Sequence, residues 1–189
     1  MNKAVFFDRD GTLIRSVHYL NKPDQVEIVD GVAEVLRMLE REGYLRIVVT
    51  NQAAIGKGLL TELGLKEIHR HIGALLEKQG TTIDAWYHCP EIRISNDPET
   101  IDHPDRKPGP GMLLRAGIDH CIALEKSWMV GDTLSDAVAG HNAGCRGSIL
   151  VAGGLFQQEF REHPCVDFVA ETISEIPQII LYRDEIAHV

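Results

Sequence analysis

Aromatic residues make up only 6% of the 189-residue chain, so Val, Ile, Leu and Ala must build most of its core. A basic excess is also absent. Lys and Arg number 19 against 28 Asp and Glu, for a net charge of −9. That balance argues against broad binding to nucleic acid or to an anionic membrane. A phosphate-bearing substrate is still allowed, because a bound metal ion reverses the field at one site. No apolar run approaches the roughly 18 residues of a membrane span. The opening stretch MNKAVFFDRDG meets charge too early for a secretory hydrophobic region. Cys89, Cys121, Cys145 and Cys165 form no CxxC pair, and a chain of this length needs no staples, so a reducing, cytoplasmic setting is expected. There is no internal repeat and no low-complexity stretch. No apolar stripe is left over once the core helices are drawn, so a monomer is expected.

What is present is an alternation of short apolar runs with helical patterns. Strands are expected at Lys3–Phe7, Leu45–Thr50, Ala85–Cys89, Trp128–Val130 and Gly147–Val151. Helices are expected at Gly31–Glu42, Thr61–Gln79, Pro110–Gly117, Ser135–Asn142 and Glu171–Leu181. Strand–helix alternation predicts an α/β fold, a parallel sheet covered by helices on both faces. The length suits a single domain over residues 1–189. In such sheets ligands bind at the carboxyl ends of the strands. Polar residues that carry chemistry should therefore follow the strands.

They do. The first run ends in Asp8-Arg9-Asp10-Gly11-Thr12. Carboxylates this close at the exit of a buried strand must be neutralised by a cation or a shared proton. A calcium loop would need further oxygen ligands and a Glu about twelve residues on, and Arg15, Ser16 and Val17 do not continue that pattern. The second run ends in Thr50-Asn51-Gln52, whose hydroxyl and amides suit phosphate oxygens, although a plain polar turn reads the same way. The Gly-rich Ile55-Gly56-Lys57-Gly58 lacks the spacing of a P-loop. Arg106-Lys107-Pro108 places a cation in a loop stiffened by Pro and Gly. The fourth run ends in Gly131-Asp132, with Asp136 four residues later on the same helical face. His69 and His71, two apart on a helix, do not face each other and read as surface residues. His18, Tyr19 and Asn21, in the loop 16–30, are candidates to touch a substrate.

Taken in order, DxDGT at 8–12, Thr50, Lys107 and GDxxxD at 131–136 resemble the four motifs of the haloacid-dehalogenase superfamily, over nearly the whole chain. The resemblance implies a three-layer α/β/α Rossmann-like sheet and a Mg²⁺-dependent phosphatase. It makes Asp8 the nucleophile that forms an aspartyl-phosphate and Asp10 the acid, then the base. It gives Mg²⁺ the Asp8 carboxylate, the Asp10 carbonyl and the Asp132 carboxylate. Thr50 and Lys107 would hold the transferring phosphoryl group, Asn51 would orient it, and Asp136 would support the site. The intervals between motifs leave no room for a separate cap domain, so the site should be open.

FFDRDGT, VVTNQAAIGKG and the run at 106–112 look like the heptose-bisphosphate phosphatase and histidinol-phosphatase family. The expected substrate is D-glycero-D-manno-heptose 1,7-bisphosphate, with histidinol phosphate the alternative and Arg106 contacting the substrate. That family commonly carries a zinc loop of three cysteines and a histidine. The matching positions here are Cys89, Glu91, His103 and Asp105, a harder ligand set than structural zinc prefers. The expectation is that zinc is lost and that packing holds the loop. Two other readings fare worse. A silent binding protein on the same fold should have lost one of Asp8, Asp10, Thr50, Lys107 or Asp132, and a DNA 3′-phosphatase should carry a basic, aromatic-rich stretch.

Overall fold

The computed structural model describes residues 1–186, with side chains to residue 183. Its strands are β1 (Lys3–Phe7), β2 (Tyr44–Asn51), β3 (Ala85–Cys89), β4 (Trp128–Gly131), β5 (Gly147–Val151) and β6 (Phe168–Ala170). The helices are α1 (Val32–Arg41), α2 (Ala53–Gly56), α3 (Glu62–Lys78), α4 (Gly111–Asp119), α5 (Leu134–Ala143) and α6 (Ile176–Ile186). The strands form one sheet in the order β3-β2-β1-β4-β5-β6, every neighbouring pair parallel.

Alternation along β1 shows why the sheet is covered on both sides. Val5 and Phe7 join α1, α3 and α6 in one apolar layer, with Leu36, Leu39, Ile68, Ile72 and Ile180. Ala4 and Phe6 join α4 and α5 in the other, with Met112, Leu113, Ala116 and Ala139. A strand buried on both faces must be continuously apolar, which is the character of Ala4–Phe7 and of Ile47–Val49. Truncating a fully buried Phe such as Phe7 to Ala should cost about 3–5 kcal/mol.

The three-layer α/β architecture agrees with the sequence reading, and no separate cap is evident. From Pro90 to Pro110 the chain is a loop without helix or strand. Besides the short, unexpected helix α2 at Ala53–Gly56, two details differ from expectation. A sixth strand, Phe168–Ala170, extends the sheet, and the last helix starts later than Glu171, after a 3₁₀ turn at Ile173–Glu175. Thr172 and Glu175 cap that turn reciprocally, which moves the α-helical start to Ile176. Among the described residues, no helix is long and apolar enough to cross a membrane.

Candidate active site

The order of the strands reverses between β1 and β4, so the crevice beyond their carboxyl ends is the place where such a sheet binds ligands. Asp8 follows β1 and Asp132 follows β4. The Asp8 N–H donates to the Val130 carbonyl at 2.8 Å, prolonging the ladder and holding the two strand exits together. Lys107 reaches into the same point from the loop before α4. Its Nζ donates to Asp8 Oδ1 at 2.6 Å and to the Val49 carbonyl at 2.8 Å, and pairs with Asp136 Oδ1 at 2.6 Å. Asp136, in the first turn of α5, accepts from the Thr133 N–H and hydroxyl with its other oxygen. That closes a capping box and fixes the side chain.

Asp8, Asp132 and Asp136 bring one ligand atom each within 4.8 Å of one another. All are buried, and Lys107 is 3% exposed. Three carboxylates against one ammonium leave an excess of negative charge in a desolvated place. Burial pushes the Asp8 carboxyl above its ordinary range; Lys107 opposes the shift, and Asp136 and Asp10 reinforce it. Asp132 is raised by burial, then by Asp8 and Asp136. For Lys107, burial alone would lower the pKa, but Asp136 and Asp8 outweigh it and keep the ammonium charged. Hard oxygen donors with surplus negative charge suit a divalent cation such as Mg²⁺. Asp132 Oδ2 accepts the Leu155 N–H at 2.7 Å. Space around it exists only because Gly11 and Gly154 lack side chains. A Cβ on either would stand 2.1 or 2.0 Å from that oxygen, and both glycines have positive φ.

Asp10 lies beside this cluster, on partners that the sequence reading overlooked. Arg9 Nε donates to Asp10 Oδ2 and its Nη2 to Oδ1, each at 3.0 Å. Gln52 Nε2 bridges Asp10 Oδ2 and the Thr50 hydroxyl at 3.1 and 2.9 Å. Asn51, expected to orient the substrate, turns both amide atoms to the Lys107 backbone at 3.0 Å. Thr12 Oγ1, four residues after Asp8, is buried without a partner among the described residues. A pocket of about 150 Å³ opens between Asp10, Tyr19, Asn51 and Gln52. A cavity of about 600 Å³ lies against Gly11, Thr12 and Gly154 on the other side. A larger one, about 780 Å³, sits over Met38, Phe168 and α6 and includes none of these groups, so its size carries no chemical argument.

His69, expected at the surface, is half-buried there, with one side of its ring engaged by the protein. Its ring stacks on Trp86 with centroids 4.4 Å apart, and its Nε2 lies 3.3 Å from Arg9 Nη1. In the 89–105 loop, Cys89 Sγ and His103 Nδ1 are 4.0 Å apart, but Asp105 turns to Arg115 at 2.7 Å. No three of Cys89, Glu91, His103 and Asp105 converge within 4.8 Å among the described residues. Arg106 Nη1 donates to the Glu91 carbonyl at 2.6 Å.

Fold and cluster together define the class, a HAD-like α/β hydrolase. A family model described as HAD-hydrolase-like matches residues 105–176. Over 180 residues the chain is 35% identical to the D-glycero-beta-D-manno-heptose-1,7-bisphosphate 7-phosphatase of Pasteurella multocida, covering 95% of this chain and 97% of that one. The enzyme of the same name from Escherichia coli K12 is 34% identical over 178 residues, covering 94% and 93%. Among solved structures, the D,D-heptose 1,7-bisphosphate phosphatase of B. bronchiseptica, complexed with magnesium and phosphate, superposes with a TM-score of 0.82. It is 25% identical and is covered over 99% of its length by 96% of this chain. The chain belongs to the heptose-1,7-bisphosphate phosphatase family of HAD-like hydrolases, and by class it is a phosphoric monoester hydrolase.

Proposed function

We propose that this protein hydrolyses the 7-phosphate of D-glycero-D-manno-heptose 1,7-bisphosphate through an aspartyl-phosphate on Asp8, with Mg²⁺ bound. The observation that carries the reading is the buried Lys107 ammonium shared between Asp8 and Asp136 at 2.6 Å each. It holds Asp8 by Oδ1, and Oδ2 is the oxygen assigned to the attack. The names of the relatives support the substrate, and the magnesium and phosphate bound to the solved relative support the chemistry.

The Asp8 Oδ2–P bond forms as the ester P–O bond breaks, and Asp10 gives its proton to the departing alkoxide. Asp10 then takes a proton from the water that attacks the aspartyl-phosphate, which releases inorganic phosphate and restores Asp8. Lys107 and the Thr50 hydroxyl carry the phosphoryl oxygens in this scheme. Arg106 meets the sugar. The Asp8 and Asp132 carboxylates and the Asp10 carbonyl would hold Mg²⁺, which would supply the positive charge that lets one anion approach another. The 89–105 loop is read as metal-free, supported by the turn of Asp105 toward Arg115.

The test is phosphate release with Mg²⁺ from the heptose bisphosphate and from histidinol phosphate, native beside Asp8→Asn. Release from the bisphosphate that the variant abolishes is the expected result. Turnover of histidinol phosphate alone would keep the mechanism and overturn the substrate. No release from any phosphate ester would overturn both.

A further inference from the structure

Arg9 is a guanidinium with 1% exposure, between two acidic residues that the proposed mechanism uses. A cation so buried must have its donors satisfied. Nε and Nη2 go to Asp10, and Nη1 goes to His69 Nε2 at 3.3 Å. Arg has no acceptor, so His69 must offer a lone pair at Nε2 and carry its proton on Nδ1. The ring suits that state. Burial, then Arg9, then His88 hold its pKa down to about 3, so it stays neutral wherever the enzyme would work. The ring itself cannot drift, because it stacks on Trp86 of β3, and His88, two residues along the strand, stands at 6.4 Å.

We propose that His69 is a positioning residue for the reaction. From α3 it clamps the far side of Arg9, and Arg9 in turn holds both oxygens of the Asp10 carboxyl and so fixes its plane. The chain of contacts runs from the helix layer to the reacting group without touching substrate. Proton transfer depends steeply on that alignment. An alkoxide leaving group needs the proton, whereas a nitrophenolate leaves without it. Losing the clamp therefore slows alkyl esters selectively. This inference rests on Asp10 acting as the proton donor.

The experiment compares kcat/KM for heptose 1,7-bisphosphate and for p-nitrophenyl phosphate in native enzyme, His69→Phe, His69→Gln and Asp10→Asn. His69→Phe keeps a ring against Trp86 and removes the acceptor; His69→Gln keeps an acceptor. His69→Phe should lose about tenfold on the alkyl ester, a part of the roughly 10²–10⁴-fold that general acid catalysis supplies, and little on the aryl ester. His69→Gln should restore most of the loss. His69→Ala carries the same prediction should the Phe variant fail to fold. Equal losses on both esters, or a Gln variant as poor as the Phe variant, would show a structural role only and overturn the proposal. If Asp10→Asn itself falls equally on both esters, the proton-donor reading fails first. If Asp10→Asn discriminates and His69→Phe does not, the positioning role alone is lost.

Discussion

Asn51 and Lys107, 56 residues apart, hold each other as two strands would: the Asn51 amide donates to the Lys107 carbonyl and accepts from the Lys107 N–H, both at 3.0 Å. The side chain thereby fixes the backbone from which the buried ammonium projects. Asn51→Ala removes both bonds. It should destabilise the fold by about 1–3 kcal/mol and lower kcat more than it raises KM. Denaturant unfolding and steady-state kinetics would check both. An unchanged kcat would show that Lys107 finds its place without this clasp.

Asp8→Asn should separate activity from stability. The native carboxyl is held above its ordinary range by burial, so a neutral amide of the same shape relieves a strained charge. Lys107 keeps its partner Asp136. Phosphate release should fall by about 10³-fold or more, while Tm in metal-free buffer holds or rises. A large fall in Tm would mean that the Asp8–Lys107 pair stabilises the fold.

Gly154→Ala places a methyl at a φ of +51°, 2.0 Å from Asp132 Oδ2 and 2.9 Å from Gly11 Cα. The backbone conformation costs about 1 kcal/mol, and the Asp132 carboxylate must move. The Mg²⁺ concentration for half-maximal activity should rise by about tenfold, as when a ligand loses its support. A magnesium titration that matches the native curve would show that the 153–155 turn adjusts freely.

The pH dependence of stability should carry the signature of His69. Its folded pKa is lowered to about 3 from an ordinary 6.5. In the window between those values the unfolded chain binds the proton and the folded chain does not. Stability from this group is full above 6.5 and is lost as pH falls toward 3. His69→Gln should therefore flatten the decline in urea midpoint between about pH 7.5 and about pH 5. Parallel declines in the two proteins would show that the ring protonates in place.

The carboxylates at the strand exits were legible in the sequence because charge at the end of a buried apolar run is expensive and rarely idle. The helical spacing of α3 was legible too. In that same stripe His69 falls four residues after Leu65 and three before Ile72, so its inward direction could have been read. Comparison with His71 alone hid it. Asn51 was ambiguous for a different reason. A polar residue at a strand exit can serve ligand or backbone, and its partner comes from a loop that local pattern does not place. Arg9 was passed over because a charge between two acids looks already accounted for. Three residues of β6 are too few to show alternation.

The sheet order also sets a timetable for synthesis. The strand that delivers Asp8 is made first, yet its neighbours come from residues 44–51 on one side and 128–131 on the other. A ribosome must extend the chain past Gly131 before Asp8 can meet the Val130 carbonyl, and past Asp136 before Lys107 has both of its anions. Contacts so distant in sequence form late. A nascent or truncated chain that ends before α5 therefore carries Asp8 and Lys107 without the Asp136 carboxylate that completes their cluster.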